Sequence, residues 1–307
     1  MNRRLFLQHI AGVSGAVALG SWPLESWADN AATDLKITIL HTNDQHSRLE
    51  PFPKTDRLAG RGGVVNRARI LSKIRAEEAN VLLFDAGDIF QGTPYFNFYK
   101  GRPEIELMSQ MGYDAVTMGN HDFDGGLDLY VKQIKEHAKF SVLVANYDFS
   151  NTVMEGLAQP YKIFKIKGVR IGVFGLGINP QGLIPEKLFG GTKYLDPVKV
   201  ANETAAMLRN EKKCSLVVCL SHLGYKMSGG EMSDLLLAPQ TQHIDLIIGG
   251  HTHTFLNEPT LVKNQVGKPV IINQAGWGGA SLGRLDFTFD RISKKVFFQS
   301  QAVSVNS

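Results

Sequence analysis

Residues 118–126 read Met-Gly-Asn-His-Asp-Phe-Asp-Gly-Gly. This stretch starts at the last residue of the short apolar run Asp114–Met118. The pattern predicts a buried strand followed by a glycine-rich turn. Open α/β sheets carry their ligand sites at the carboxyl ends of such strands. An amide oxygen, an imidazole and two carboxylates, all within residues 120–124, suit a divalent metal ion. The competing interpretation is a turn in which Asn120 and Asp124 satisfy only their own backbone.

The composition is that of an ordinary globular enzyme, with 307 residues of which 43% are hydrophobic and 20% charged. The net charge of +4 is weak and dispersed, which excludes the basic surface of a nucleic-acid-binding protein. Cys214 and Cys219 lie in one apolar run, where an extended chain would place them on opposite faces and roughly 16 Å apart. A disulfide needs Cα atoms within about 7 Å, so we predict two free thiols.

The first 28 residues have the layout of an export signal. Arg3 and Arg4 precede a mildly apolar segment, and Ser26-Trp27-Ala28 is a small-x-small cleavage site. The paired arginines resemble the twin-arginine export signal. The apolar segment is short and diluted by glycines, which argues against a membrane anchor. We therefore predict a cleaved signal over 1–28 and a periplasmic or otherwise exported protein that meets a membrane only through the export machinery.

Apolar runs and amphipathic stretches alternate along the remaining chain. The patterns predict strands at 35–40, 81–84, 114–118, 142–145, 161–166, 170–174, 215–220, 244–248, 270–272, 284–289 and 296–303. They predict helices at 64–79, 95–111, 127–138 and 197–210. Lys167-Gly168 would close a β-hairpin, and Asp196 would cap the last helix. The aromatic run Tyr95–Tyr99 is expected in the core. The alternation predicts an α/β fold of two packed mixed β-sheets flanked by helices, in one domain over 33–307.

Polar side chains follow five of these strands, at the point where each strand ends. They are Asp44 and His46, Asp88, Asn120, His222, and His251 and His253. In Asp-x-His and His-x-His, residues two apart in extended chain project to one side, so both can face one metal cluster. Seven ligands exceed what one ion takes from a protein. Two ions that share Asp88 would each receive about four and keep room for water.

These motifs resemble, in order, the signature of the calcineurin-like metallophosphoesterase superfamily, and in particular its 5′-nucleotidase (bifunctional UDP-sugar hydrolase/5′-nucleotidase) branch. The residues that carry the resemblance are Leu40-His-Thr-Asn-Asp44 with His46, Gly87-Asp88 with Gln91-Gly-Thr-Pro94, Gly119-Asn-His-Asp-Phe-Asp124, His222, Gly250-His-Thr-His253, Gln274-Ala-Gly-Trp-Gly278 and Leu282-Gly-Arg-Leu285. The resemblance runs from about residue 37 to 286.

The resemblance implies a four-layer α-β-β-α sandwich and a dinuclear centre. One metal would be held by Asp44, His46, Asp88 and His253, and the other by Asp88, Asn120, His222 and His251. His121, oriented by Asp124, would stabilise the transition state or protonate the leaving oxygen, while a metal-bridging hydroxide attacks phosphorus in line. The ligand types fit Mn²⁺, Zn²⁺ or Fe and do not select among them.

The 5′-nucleotidase branch normally carries a second, C-terminal domain that holds the nucleoside, and we expect that domain to be absent from this chain. Three interpretations stay open. The chain is a general phosphomonoesterase or phosphodiesterase, it recruits a separate chain that supplies the substrate-binding domain, or it acts on another ester, as the related exported thiosulfohydrolases do. The expected substrate is a small phosphoester, and the resemblance favours a nucleotide. A non-catalytic accessory subunit is a further alternative, although every predicted ligand is present.

Five residues near the motifs are assigned supporting roles. We expect Asp122 to support a ligand and His41 to orient its neighbours. Arg48 and Asn146 are expected near the cluster, and Trp277 either lines the substrate entrance or packs.

Overall fold

The computed structural model describes residues 17–18, 34–290, 292–293 and 295–306. The predicted export signal therefore lies outside the described residues, apart from the backbone of Val17–Ala18, which pairs at the edge of a sheet. Within the described ranges, no helix has both the length and the apolar character needed to cross a membrane.

The strands alternate with helices in both halves of the chain. The strands in the described residues are β1 (Val17–Ala18), β2 (Leu35–Thr42), β3 (Val81–Asp85), β4 (Ala115–Val116), β5 (Ser141–Val142), β6 (Tyr147–Asp148), β7 (Tyr161–Ile166), β8 (Val169–Leu176), β9 (Lys193–Tyr194), β10 (Leu216–Ser221), β11 (Leu246–Gly249), β12 (Thr260–Lys263), β13 (Pro269–Asn273), β14 (Ser281–Phe289) and β15 (Val296–Ser304).

The helices are mostly short. They are α1 (Val64–Glu77), α2 (Pro94–Tyr99), α3 (Arg102–Gln110), α4 (Gly126–His137), α5 (Glu186–Phe189), α6 (Pro197–Ala206) and α7 (Asp234–Leu237). Three 3₁₀ turns cover His121–Phe123, Ser228–Gly230 and Ala238–Gln240, and a π-helical turn, Met207–Glu211, extends α6. The side chain of Asp196 accepts a hydrogen bond from the N–H of Lys199 at 2.9 Å, which confirms the predicted cap.

Two large mixed sheets form the centre of the fold. The first has the order β1-β15-β14-β2-β3-β4-β5, and the second has the order β12-β13-β11-β10-β8-β7. Strands β2 to β5 are parallel, as are β8, β10, β11 and β13. The remaining strands of both sheets pair antiparallel at the edges. Parallel neighbours end at the same edge of a sheet, so their carboxyl-terminal residues gather there.

The two sheets face each other across a shared apolar core, which confirms the predicted α/β architecture. Alternate residues of a strand point to opposite faces. Ile39 and Phe84 of the first sheet therefore pack with Val218 of the second, in one buried cluster. Leu40 and Leu83 point the other way, into a cluster with residues of α1, α3 and α4. A third cluster joins the outer face of the second sheet to α6 and α7. The layers are thus helix, sheet, sheet and helix.

The predicted hairpin is present, with β7 and β8 pairing antiparallel from Tyr161↔Phe174 to Ile166↔Val169. Lys167 has φ 46° and Gly168 has φ 90°. Two successive residues with positive φ form the tight turn whose twist matches that of the flanking strands. The two cysteines are free and buried, as predicted.

The segment 95–111 is mostly helical, as predicted, but it is divided into two helices. Lys100 at φ 55° and Gly101 at φ 87° separate α2 from α3, and this left-handed pair ends the first helix. The placement of the aromatic run in the core was wrong for most of its members. Phe96 is buried, but Phe98 is 78% exposed and Tyr99 is 58% exposed. The spacing of the aromatic residues predicted a helix, but it did not show which face of that helix packs against the core.

Candidate metal centre

The ends of the central strands bring six of the predicted ligands into two clusters. Asp44, His46 and His253 form one, and Asp88, His222 and His251 form the other. In each cluster, one ligand atom from every residue lies within 4.8 Å of the others. Asp44 and His46 follow β2, Asp88 follows β3, His222 follows β10, and His251 and His253 follow β11. Both sheets therefore contribute to each side of the site.

Asp88 lies between the two clusters. Its Oδ2 atom is 3.1 Å from His222 Nε2 and 3.8 Å from His46 Nε2. Asn120, the seventh predicted ligand, joins the second cluster because its Oδ1 atom lies 2.9 Å from His251 Nδ1. The structure thus brings all seven predicted ligands together, with the Asp88 carboxylate close to one imidazole of each cluster.

The loops that carry these ligands have unusual backbone conformations. Five of the seven have positive φ angles: Asp44 (49°), His46 (50°), Asp88 (57°), His251 (70°) and His253 (52°). A residue with a Cβ adopts this left-handed region at a cost, and such residues gather at functional sites where the surrounding structure imposes them. Each turn redirects the chain directly after a strand, so that the side chains converge above the sheet edges.

Two glycines allow the loops to approach one another. A Cβ at Gly119 would lie 2.2 Å from Asp88 Oδ1, and one at Gly87 would lie 2.5 Å from the nitrogen of Gly119. Gly87 also has φ 90°, which side chains rarely permit. The close contact of the 85–88 and 117–122 segments therefore requires glycine at both positions.

The ionisation of the cluster suits metal binding. Burial lowers the pKa of His251 to about 4 and also lowers the pKa of His46, so both imidazoles are neutral near pH 7. Burial opposes ionisation of Asp88, but the imidazoles of His222 and His46 outweigh it and hold its pKa below the usual range. Burial likewise lowers the pKa of His222, but Asp88 and Asp44 outweigh it and raise the value to about 10. A cation bound beside Asp88 would displace that proton.

The contacts of the imidazole nitrogens fit cation binding at these clusters. His222 Nε2 is buried and has no hydrogen-bond partner of acceptable geometry among the described residues. The Nε2 atoms of His46 and His253 face each other at 2.9 Å. His222 Nδ1 donates to the carbonyl oxygen of Ala86 at 2.6 Å, which leaves Nε2 directed at the site. Imidazole, carboxylate and amide donors together suit Mn²⁺, Zn²⁺ or Fe²⁺.

Two further side chains hold the ligands in place. The Asp122 carboxylate accepts hydrogen bonds from the N–H groups of Gly119, Asp88, Ile89 and Phe90, at 2.8 to 3.3 Å. It ties the two loops together and lies in neither cluster, in line with the supporting role predicted for it. Asn43 was missed by sequence reasoning.

The amide of Asn43 fixes the Asp44 carboxylate. Asn43 Nδ2 donates to Asp44 Oδ2 and to the carbonyl oxygen of Gly276, both at 2.5 Å. Asn43 Oδ1 accepts from the N–H of Ala275 at 2.8 Å. Its position directly before a ligand was the signal available in the sequence, because outer amides commonly orient metal-binding carboxylates.

His121 and Asp124 form a hydrogen-bonded pair at the edge of the centre. His121 Nδ1 donates to Asp124 Oδ2 at 2.8 Å, and its backbone N–H donates to Asp88 Oδ1 at 2.8 Å. The hydrogen bond to Asp124 raises the pKa of His121, against the effect of burial. The side chain is 36% exposed and its ring lies 5.2 Å from that of His46. The pair therefore places an imidazole with a raised pKa next to the clusters.

The other residues singled out in the sequence take different positions. His41 is fully buried opposite Gly283 and makes no hydrogen bond through either ring nitrogen among the described residues, so the expected orienting role was wrong. Asn146 exchanges hydrogen bonds with the backbone of Gly177 at 2.7 and 2.8 Å and supports that loop.

Trp277 packs on the centre. Its ring stacks on the ring of His253, with an interplanar angle of 10° and a centroid distance of 5.4 Å. The Arg48 guanidinium lies 5.7 Å from the same indole and 4.1 Å from the ring of Phe52. Arg48 therefore approaches the cluster only by its contact with Trp277, as predicted for a residue near the site. The indole of Trp277 covers the predicted ligand His253 and limits the rotation of its ring.

Comparison with known proteins agrees with this geometry. Residues 37–255 match the family described as Calcineurin-like phosphoesterase. A snake venom 5′-nucleotidase of Gloydius brevicauda is 33% identical over 85% of this chain and 46% of its own length. A 5′-nucleotidase of Vibrio cholerae is 33% identical over 94% of this chain and 55% of its own length. The crystal structure of a 5′-nucleotidase precursor from Thermus thermophilus superposes with a TM-score of 0.77 at 35% identity, over 89% of this chain and 55% of that one.

The chain spans about half the length of the curated relatives it matches. Every residue of the two clusters lies between positions 44 and 253 of this chain, within the residues 37–255 that match the family. Sequence, sheet topology and site geometry agree, and the chain belongs to the calcineurin-like phosphoesterase family of metal-dependent phosphoester hydrolases.

Proposed function

We propose that this chain is an exported phosphoester hydrolase that holds two divalent metal ions and acts on nucleotides. The observation that carries the proposal is the position of Asp88 Oδ2, 3.1 Å from His222 Nε2 and 3.8 Å from His46 Nε2, between the two ligand clusters. One carboxylate placed between two sets of ligands favours a dinuclear centre over two independent sites. The choice of nucleotides rests on the 5′-nucleotidases to which the chain is similar.

Two divalent ions bound there would activate water for attack on phosphorus and neutralise the phosphoryl oxygens. The chain's own residues supply the remaining chemistry. His121 Nδ1 donates to Asp124, so when the ring is protonated it is Nε2 that carries the second proton, which can pass to the leaving oxygen. Asp124 fixes the tautomer and stabilises the charged ring. Asp122 and Asn43 hold the ligand loops, so that substrate binding does not have to organise them.

The proposal is tested with the purified chain, reconstituted with Mn²⁺, Zn²⁺ or Fe²⁺. We would measure metal stoichiometry together with turnover of AMP, UDP-glucose, p-nitrophenyl phosphate and bis-p-nitrophenyl phosphate. Two metal ions per chain with hydrolysis of AMP is the expected result. Two bound ions without hydrolysis of any phosphoester would reject the hydrolase and favour the accessory subunit. One ion per chain at full activity would reject the dinuclear centre.

The same preparation separates the remaining alternatives. A thiosulfonate-type ester assayed beside AMP tests the thiosulfohydrolase interpretation, which requires faster turnover of the sulfur ester. Slow hydrolysis without preference among the phosphoesters would favour a separate chain that supplies a substrate-binding domain, which stays a prediction from the sequence.

Export is proposed from the sequence alone, on the paired arginines and the small-x-small site of residues 1–28. Replacing Arg3 and Arg4 together by lysine should retain the chain in the cytoplasm, because the twin-arginine pathway reads the arginine pair. Fractionation of cells that express each form measures this. Equal export of both forms would reject the twin-arginine route.

A further inference from the structure

The loop from Gly250 to Thr254 carries one predicted ligand of each metal cluster. His253 belongs to the first cluster and His251 to the second. Their φ angles are 52° and 70°, a conformation that costs free energy unless other contacts impose it. Residues 251–254 are each partly exposed, and the His253 side chain is 39% exposed. Burial of the loop itself therefore does not account for its conformation.

The amide of Gln274 bonds this loop from its buried side. Gln274 is fully buried and comes directly after β13, the parallel neighbour of β11. Its Nε2 atom donates to the carbonyl oxygen of Gly250 at 2.6 Å. Its Oε1 atom accepts from the backbone N–H of Thr254 and, at 3.2 Å, from the hydroxyl of Thr252. One side chain thus bonds the residues before, between and after the two ligands.

The partners of this amide determine its orientation. A rotated amide would place the NH₂ group of Gln274 against the N–H of Thr254, and its oxygen against the carbonyl oxygen of Gly250. A buried polar group left without a partner destabilises the fold. The backbone of Gln274 is held as well, because its carbonyl oxygen accepts from the N–H of Leu256 at 3.2 Å and its N–H donates to Asn273 Oδ1 at 3.0 Å. The side chain therefore has one favourable orientation, and it imposes one conformation on the loop.

We propose that Gln274 is a positioning residue that directs His251 and His253 together toward the two clusters. Its bonds are to the backbone of the loop and to the Thr252 hydroxyl, so it acts through the conformation of the loop. The inference rests on the proposed dinuclear centre and deepens it. Because one amide holds the loop that carries a ligand of each cluster, its loss should weaken the binding of both ions.

The test is Gln274→Met in the full chain, with Gln133→Met as the matched control. Methionine preserves the length of the side chain and removes the amide donor and acceptor. Gln133 is a buried glutamine on α4, and its Oε1 atom has no hydrogen-bond partner among the described residues. Competition with a chromophoric chelator gives the affinity of each metal-free protein for Zn²⁺. We expect Gln274→Met to weaken both ions roughly 10–100-fold, the usual effect of losing a group that orients metal ligands. Gln133→Met should bind both ions as the original chain does.

Hydrogen exchange of the metal-free chain measures the loop itself and needs neither metal nor hydrolysis. The N–H of Thr254 should exchange faster in Gln274→Met, because its acceptor is lost, and at the original rate in Gln133→Met. Thr252→Val removes one of the three hydrogen bonds to Gln274, so it should change metal affinity and exchange in the same direction by a smaller factor.

The outcomes separate this inference from the proposed function. A folded Gln274→Met variant that binds both ions with the original affinity, or that weakens one ion alone, would overturn the inference and leave the hydrolase proposal intact. Where Gln274→Met does not fold, unchanged affinity in Thr252→Val would overturn it. Absence of metal binding by the original chain would reject the proposed function, and the inference with it.

Discussion

The Nε2 atoms of His46 and His253 lie 2.9 Å apart, at the ends of strands from two different sheets. Asp44 Oδ1 is 3.4 Å from His253 Nε2 and 3.9 Å from His46 Nε2. Without a cation, one imidazole can at most donate to the other, close to a buried carboxylate. A cation converts the same three atoms into ligands, so its binding should stabilise the folded chain.

We therefore expect Mn²⁺ or Zn²⁺ to raise the midpoint of thermal unfolding of the chelator-treated protein. At a hundredfold excess over its Kd, one ion contributes about 2.7 kcal/mol, which corresponds to roughly 4 °C for a chain of this size. Differential scanning calorimetry with and without metal measures the shift. His253→Ala should reduce it, because the first cluster then lacks one ligand. An unchanged midpoint in the original chain would contradict a metal site here.

Asp88→Asn should remove metal from both clusters. The substitution keeps the shape of the side chain but replaces the charge that lies between His222 and His46. An amide also bridges two cations poorly. Elemental analysis should show fewer than one ion per chain, and hydrolysis should fall to background. Asp128→Asn, an exposed carboxylate on α4, is the matched control and should keep both ions. Two retained ions in Asp88→Asn would reject the shared carboxylate.

Gly119→Ala should damage the centre through a single methyl group. The new Cβ would lie 2.2 Å from Asp88 Oδ1 and 2.6 Å from His222 Cε1, so the two loops must separate. Overpacking of this kind costs about 1–3 kcal/mol, and metal affinity should fall with it. Chemical denaturation and metal titration measure the two effects.

Gly191→Ala is the control for Gly119→Ala. Its added Cβ would meet only Thr152 Cγ2, at an ordinary contact distance of 3.7 Å. It should leave metal affinity and the denaturation midpoint nearly unchanged. Equal effects of the two substitutions would reject the explanation that Gly119 is needed for the close approach of the two loops.

His121→Ala should retain metal and lower the rate by roughly 10²–10⁴-fold, the usual contribution of one acid–base group. The pH profile tests the role of its partner. The hydrogen bond to Asp124 raises the pKa of His121, so the protonated ring persists to higher pH and activity is lost as the pH rises through that value. Asp124→Asn removes the carboxylate and should move the alkaline limb of kcat/KM to lower pH. An unmoved limb would exclude His121 as the proton donor.

Several features of the fold were predictable because they depend on neighbours in the chain. The β7–β8 hairpin follows from two alternating runs joined by Lys167-Gly168, and the start of α6 follows from Asp196 as its cap. Each obeys a local rule of turn or cap chemistry. The break at Lys100-Gly101 was missed because the apolar spacing continues across it, while the left-handed pair there interrupts the helix.

The sequence by itself determined which residue types follow each strand, and hence which ligands to expect. Both the strand periodicity and the polar residues after it can be recognised from neighbouring positions in the chain. Only the tertiary structure decided how those ends meet. Strand order sets the separation of Asp88 from His222, and left-handed turns at five ligands aim their side chains.

The support given by Asn43, the backbone groups that Asp122 holds, the burial of His41 and the contacts of Gln274 were also decided by the tertiary structure. These depend on contacts between segments that are distant in the chain. Such contacts follow from the packing of two sheets, which the pattern of any single segment does not specify.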